Sequence, residues 1–542
     1  MLTRWLLKSA VLLFIFTTSL LQAEEIPHIQ KAPIPQLMVA GKPFIILGGE
    51  LGNSTASSTE YMKSVWPKLR AMNLNTVLVP VYWDLIEPEQ GKFNFTLVDD
   101  LLKDARTNHV KVVILWFGSW KNSMSTYTPA WIKRNPQKYE LAKNQVGINQ
   151  EILSPFDPDN LKADVRAYSA LLAHLKKVDA EERTVLMMQV ENEIGMLPDA
   201  RDYHPEANRL FNMPAPIELM EYLQRNKQYL EPRLEKIWSA QGYKTTGTWR
   251  DIFGDSIATD EIFMAWYFAR YTEAVAAAGK NIYALPTYVN AALNRPGVPP
   301  GQYPSGGPLP HILDIWKAAA PHIDLFSPDF YNPDFTLWND QYTRNGAALF
   351  IPEIRFEPSN AAKAFYALGH YGAIGFSPFS IESTDKPDQE PIGKAYAILQ
   401  SLIPEIAKAK SLHKLQGALV DKTQPQMQFS LGSKIFTVKH DYTLGWSPEA
   451  KNEIWPEAGV LIIQEDDENF WVSGTGVVIT VTDSDVTKHS GIDFIYEGKF
   501  KEGKWHRLRN LNGDENHQGR HLRIPTGEIA TQELRLFTYP KQ

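Results

Sequence analysis

The sequence predicts an α/β fold: a (β/α)8 TIM barrel followed by a C-terminal all-β sandwich. Three observations carry this. Between about residue 40 and about residue 410, eight apolar runs alternate with segments of helical periodicity, matching such a barrel in count and size. The runs are unbroken rather than alternating with polar residues, as parallel strands covered on both faces must be. Beyond Leu412 helical periodicity stops, and short apolar runs separated by turn residues take over. A doubly wound open sheet shares the alternation. The barrel is preferred because polar residues gather just after the strands, where barrel active sites lie.

The first strand is read at 44–47, ending in Gly48-Gly49-Glu50. A helix over 59–72 follows, with Ser58 placed to cap it and Tyr61, Val65 and Leu69 on one face. Strand two spans 76–83, a helix 97–108, strand three 111–116 and a helix 161–177. The fourth strand starts near Thr184 as Val185-Leu186-Met187-Met188 and breaks into Gln189-Val190-Glu191-Asn192-Glu193. After an insertion with helical pieces at 217–238 and 257–278, strands five to eight fall at 281–288, 323–331, 347–353 and 372–377. Helices at 311–319, 361–371 and 391–406 separate or close them. The β module, with runs such as 426–431, 434–438, 459–463 and 476–481, is expected to cover one side of the barrel rather than bind carbohydrate.

At 542 residues the chain exceeds one ordinary core. A formal net charge of −7 argues against nucleic acid, which needs a concentrated basic surface. Arg4 and Lys8 precede an apolar run at 10–16, and Leu21-Gln22-Ala23 resembles a small-residue cleavage site. The expected division is a signal peptide at 1–23, a catalytic barrel at 24–410 and a sandwich at 411–542. The apolar run is shorter than the ~20 residues a membrane span needs, so no span is expected after cleavage. With no cysteines, disulfides are excluded, which suits a periplasmic or secreted bacterial protein.

Residues just past each strand share one rim. The acids and amide there are Glu50, Asn192, Glu193, Glu353 and Glu382; the aromatics are Tyr82, Trp83, Trp116, Trp120, Tyr288 and Tyr331. There is no histidine pair of metal-binding spacing, no phosphate loop and no dinucleotide fingerprint, so neither metal nor cofactor is expected. Two carboxyls, hydrogen-bonding groups and aromatic platforms are the equipment for breaking a glycosidic bond, with an oligosaccharide as partner. Glu193 and Glu353, on strands far apart in sequence, are the candidate pair. Tyr82 and Trp116 could line the sugar site or pack over the barrel mouth. Glu191 faces away from its neighbours, toward an expected structural salt bridge.

Asn192-Glu193 after a fourth strand and Glu353 after a seventh resemble the barrel glycosidases whose catalytic acids sit on strands four and seven. Within that clan the chain is most similar to glycoside hydrolase family 35, the β-galactosidases. Gly48-Gly49-Glu50, Tyr82-Trp83, Glu87-Pro88, Gly91-Lys92-Phe93-Asn94-Phe95, Pro129-Ala130-Trp131 and Gln189-Val190-Glu191-Asn192-Glu193-Ile194-Gly195 carry the resemblance. It implies Glu193 as general acid/base and Glu353 as nucleophile, with Asn192 bonding the sugar's 2-hydroxyl and Tyr331 donating to Glu353. It further implies a retaining exo-β-galactosidase acting on plant oligosaccharides such as xyloglucan fragments. Other β-glycosidases, or a non-catalytic carbohydrate-binding barrel, are the alternatives. Family members carry Ala-Glu-Trp after strand three where this chain has Gly118-Ser119-Trp120, leaving Glu50 or Glu382 to supply the missing acid.

Overall fold

The computed structural model describes residues 26–30, 35–501 and 503–541, so the leader read at 1–23 lies outside the described residues. Eight parallel strands follow one another in chain order around one sheet: Ile46–Leu47 (β1), Thr76–Tyr82 (β2), Lys111–Lys121 (β3), Val185–Asn192 (β4), Thr287–Ala292 (β5), Leu325–Phe330 (β6), Phe350–Ile354 (β7) and Gly375–Pro378 (β8). The sheet closes on itself at Glu50, which bridges to Leu78 on one side and Phe379 on the other. A helix follows each strand: Thr59–Ala71 (α1), Thr96–Thr107 (α2), Pro158–Asp179 (α3), Ile257–Ile282 (α4), Leu313–Ala319 (α5), Phe335–Tyr342 (α6), Asn360–His370 (α7) and Pro391–Ser411 (α8). This is the predicted (β/α)8 barrel. No helix among the described residues is long and apolar enough to cross a membrane.

Strand parity sorts the side chains. On β3, Val113, Leu115 and Phe117 fill the barrel interior with Leu78, Tyr82, Leu186, Leu325 and Phe350. Val112, Ile114 and Trp116 instead face the helical layer. A three-stranded antiparallel sheet (His28–Gln30, Gln36–Val39, Lys42–Phe44) precedes the barrel, and its Leu37 and Val39 join the interior cluster.

Two strand boundaries differ from the sequence reading in ways that matter for the site. α4 runs on to Ile282 through an alanine-rich turn, and Pro286 delays the next element, so β5 starts at Thr287 rather than at 281. Tyr288 therefore stands at the beginning of β5, not at its rim. β3 continues past Trp116 to Lys121 through an irregular register against β4, which lays Lys121 beside Asn192.

After α8 the chain forms a sandwich of a six-stranded and a four-stranded antiparallel sheet around a core that includes Phe436, Val438, Val460, Ile462, Phe470 and Leu534. The sandwich lies directly on α7, and glycines permit the approach. A Cβ on Gly459 would stand 2.2 Å from the carbonyl oxygen of Ala362, and one on Gly369 2.7 Å from that of Gln416. Lys363 on α7 pairs with Glu457 at 3.0 Å and with Glu357 at 2.7 Å. Gly459→Ala should therefore push α7 off the sheet and destabilise the fold by about 1–3 kcal/mol, read as a lower urea midpoint.

Candidate active site

The end of β4 is where the backbone departs most from a regular strand. Glu191 and Glu193 both adopt positive φ, +61° and +45°, on either side of Asn192. Such left-handed non-glycine residues persist only where surrounding contacts hold them. Two contacts do so. The Glu191 carboxyl turns outward and accepts a hydrogen bond from the Trp120 amide at 2.9 Å, and the Glu193 amide donates to Asn290 Oδ1 at 3.0 Å. The double twist sends Glu191 out of the barrel and Glu193 into its mouth. On β7 a register irregularity between Ile351 and Ile354 leaves Glu353 facing the mouth while Ile354 packs outward.

Glu193 and Glu353 are thereby brought together, and Asp329 on β6, paired in register with Glu353, joins them. One carboxyl oxygen from each of the three lies within 4.8 Å of the others, and this is the one group of acids among the described residues close enough to face a common cation. Asn290 Nδ2 donates to Asp329 Oδ2 at 2.6 Å. The Tyr331 hydroxyl donates to Glu353 Oε1. Glu50, at the closure of the barrel, is the fourth acid, close enough to Glu353 for each to act on the other's charge. All four are buried, at 1–6% exposure. Asn192 is fully buried; its Oδ1 accepts from Gln189 Nε2 at 2.9 Å and its Nδ2 donates to Asn122 at 3.2 Å.

Burial raises the pKa of each acid. Glu353 is pushed up to about 7, by desolvation first and by Glu193 second, against the opposing pull of Lys121 and the hydrogen bonds from Tyr331 and Glu50. Desolvation also lifts Glu193, while Lys121 and a hydrogen bond with Asp329 work to lower it. Glu50 and Asp329 are held well above the usual carboxylate range, by burial and then by Glu353. The one cation acting on Glu50, Glu193 and Glu353 is Lys121, delivered by the extension of β3. Lys121, Asn290 and Asp329 are absent from the sequence-derived set. Lys121 lies past the strand read at 111–116 and Asn290 past the one read at 281–288, while Asp329 lies inside the strand read at 323–331. In front of Glu193 and Asp329 opens a cleft of about 630 Å3, walled by Arg295, Tyr303, Tyr331 and Arg355 among others.

Four expectations are corrected. Trp116 points away from the mouth, because parity places it in the helical layer, where its Nε1 donates to Asp164 on α3 at 2.9 Å. Tyr288 is fully buried inside the barrel, with its hydroxyl unpartnered beneath Glu50, Asp329 and Glu353. Glu382 fastens the loop after β1, its Oε1 accepting from the Gly52 amide at 2.9 Å and Thr55 Oγ1 at 2.5 Å. Among the described residues Glu191 has no salt bridge; it accepts from the Trp120 amide, and its charged neighbour is another acid, Asp164. Tyr82, open between two roles, packs at the rim against Phe117 and Tyr127, with ring centroids 6.0 and 5.4 Å apart.

The Gly118-Ser119-Trp120 corner explains itself from this outer network. Ser119 Oγ donates to Asp164 Oδ2 at 2.6 Å and lies 2.9 Å from the Tyr271 hydroxyl, so it faces the helices and not the mouth. A Cβ on Gly118 would stand 2.2 Å from Trp116 Nε1. Burial and neighbouring Asp164 hold the Glu191 carboxyl well above its usual range. A carboxyl so raised keeps its proton to higher pH in the fold than in the unfolded chain, which ionises near about pH 4.3, so unfolding above that pH releases a proton and stability falls as pH rises toward the folded pKa. Glu191→Gln keeps an acceptor for the Trp120 amide, gains a permanent donor to Asp164 and removes that proton. Its Tm should fall less than that of wild type from about pH 5 to about pH 8; an equal fall would mean that Glu191 is ionised in the fold.

Residues 56–255, from before α1 to just ahead of α4, match the family model described as "Beta-galactosidase". Residues 392–523, from α8 into the sandwich, match a domain of unknown function. A "Beta-galactosidase" of Xanthomonas manihotis is 26% identical over 184 residues, covering 32% of this chain and 28% of the relative. "Beta-galactosidase-1-like protein 3" of Mus musculus is 29% identical over 172 residues, 30% of this chain and 24% of that one. The chain thus spans about a quarter of the length of these relatives. Among solved structures, a β-galactosidase from the psychrophilic Marinomonas ef1 superposes with a TM-score of 0.45 at 13% identity, covering 66% of this chain and 60% of its own. One from Bacillus circulans sp. alkalophilus gives 0.46 at 13% identity, over 67% and 57%. In sequence, the half of the barrel that delivers Asn192 and Glu193 is similar to β-galactosidases.

Proposed function

We propose that the chain is a retaining exo-β-galactosidase of glycoside hydrolase family 35, removing terminal β-galactose from plant oligosaccharides such as xyloglucan fragments. The observation that carries the reading is the approach of Glu193 on β4 to Glu353 on β7, with carboxyl oxygens within 4.8 Å. So short an approach of the nearest oxygens supports double displacement, whose carboxyl groups stand ~5–5.5 Å apart, over inversion, whose ~6.5–9.5 Å leaves room for a water. The leader read at 1–23 supports a periplasmic or secreted location.

In this reading Glu353 attacks the anomeric carbon, while Glu193 gives its proton to the departing oxygen, which takes the electron pair of the broken bond. Water, losing a proton to Glu193, then displaces Glu353. The Tyr331 hydroxyl and the positive field of Lys121 favour the anionic form of Glu353 that attack requires. Asn192 is the candidate for the 2-hydroxyl, and Glu50 for the far side of the sugar. With Ser119 turned outward, the corner where the resemblance places an acid instead faces Lys121.

Two experiments test this. On aryl β-glycosides differing only at C4 and C2, the galactoside should be the fastest substrate, and a faster glucoside or arabinoside would reassign the sugar. Glu353→Ala should lose at least about 10³-fold in kcat on any of them. Glu193→Ala should lose far more on natural oligosaccharides than on an activated aryl galactoside, whose leaving group needs no proton; equal losses would remove Glu193 as the acid.

A further inference from the structure

We propose that a second cavity, which shares a wall with the cleft in front of Glu193, is a carbohydrate site that holds a neutral sugar of the substrate on the leaving-group side. The role given to the site rests on the glycosidase reading, but binding there is testable without it.

The cleft is walled by Glu193, Asp329 and Tyr331 but by none of Glu50, Asn192 and Glu353. It therefore leads away from the proton donor, the direction in which the leaving group must lie. On that path Arg295, Pro296 and Tyr303, from the segment after β5, line both the cleft and a second cavity of about 370 Å3. A tight turn fixes this shared wall. The Val298 amide donates to the Arg295 carbonyl at 3.2 Å, with Pro296 and Gly297, at φ +76°, in the centre of the turn. The helical layer supplies much of the rest: Ala258 and Ile262 on α4, Leu337 and Trp338 on α6, and Ile237 on the helix Pro232–Ala240.

Two buried polar atoms of residues lining this cavity have no partner. Asn294 is 8% exposed and its Oδ1 meets no donor; Trp338 is 5% exposed and its Nε1 meets no acceptor. Its acids, by contrast, are engaged. Glu261 accepts from the Tyr303 hydroxyl at 3.1 Å and pairs with His311 at 2.8 Å, while Glu231 accepts from the amides of Arg233 and Leu234. The unmet demand is thus one donor and one acceptor, which hydroxyls supply together.

That demand selects the class of ligand. An apolar molecule would leave both atoms unpaired. Arg233 and Arg295 are offset by Glu231 and Glu261, so the lining favours no ion of either sign. A sugar ring offers hydroxyls to Asn294 and Trp338 and its C–H faces to Ile237, Ile262 and Leu337. With galactose at the reacting carbon and the next ring in the cleft, a substrate that also fills the second cavity has at least three rings. An aryl galactoside ends in the cleft.

Two variants remote from the reacting acids test this. Trp338→Phe keeps a ring and removes the donor; Ala258→Phe fills the cavity from the first turn of α4. On a galactosylated xyloglucan oligosaccharide KM should rise about 3- to 10-fold in Trp338→Phe and at least as much in Ala258→Phe. On an aryl β-galactoside kcat and KM should stay within about twofold of wild type. A rise shared by both substrates, or none on the oligosaccharide, overturns the proposal. Should the variants fail to fold, hydrogen exchange of the wild type decides it. A galactose-free xyloglucan oligosaccharide should slow exchange in residues 294–303 and 335–342. Protection absent from both segments, or stronger with trigalacturonate at equal concentration, overturns the assignment. Wild-type turnover of an aryl β-galactoside is measured first. Its absence sinks the glycosidase reading, and exchange protection then decides the site alone.

Discussion

Four carboxyls buried around one lysine set the terms for the rest of the site. Glu50, Glu193, Asp329 and Glu353 arrive from four different strands of the barrel, and none is more than slightly exposed. Such a group holds together only by sharing protons and by accepting every donor within reach, which is what Asn290, Tyr331 and Lys121 supply. The strain at the end of β4 serves the same need. Two left-handed residues in three would unravel an unsupported strand, yet here they turn one acid outward and the next inward.

The outward acid supports the inward one from behind. Glu191 and Asp164 form a second buried pair on the helix side of β3 and β4, tied to Trp116, Ser119 and Tyr271. Its hold on the Trp120 amide fixes the extended end of β3, and that extension carries Lys121 to the mouth. The corner at which this chain departs from the resemblance is thus coherent. A serine that serves the outer network and a lysine that serves the inner one stand where an acid would add a fifth negative group.

The sandwich contributes from farther away. It rests on α7, the helix that follows β7, at a distance that only glycines allow, and Lys363 bridges the two through Glu457. Leu415, Leu461 and Ile463 of its larger sheet belong to the same apolar cluster as the barrel's outer face. The strand that presents Glu353 is therefore backed by a layer that is itself packed, which limits how far the carboxyl can drift from Glu193.

What the sequence determined by itself is the alternation of strand and helix, the change to short strands after the last helix, and the two strand-end glutamates. Each is written locally, in unbroken apolar runs, helical spacing and turn residues, and needs no knowledge of neighbours. What only the tertiary structure decided is which way the side chains point. Trp116 and Phe117 are adjacent aromatics, and parity against the partner strands alone sends one to the helices and the other inside. Asp329 reads as an ordinary strand residue, and Asn290 lies beyond the strand read at 281–288 until the boundary set by Pro286 brings it into β5. Glu191 looked set for a salt bridge and meets a second acid instead. Register, bulges and shared protons arise between strands that are far apart in the chain, so local pattern carries no trace of them.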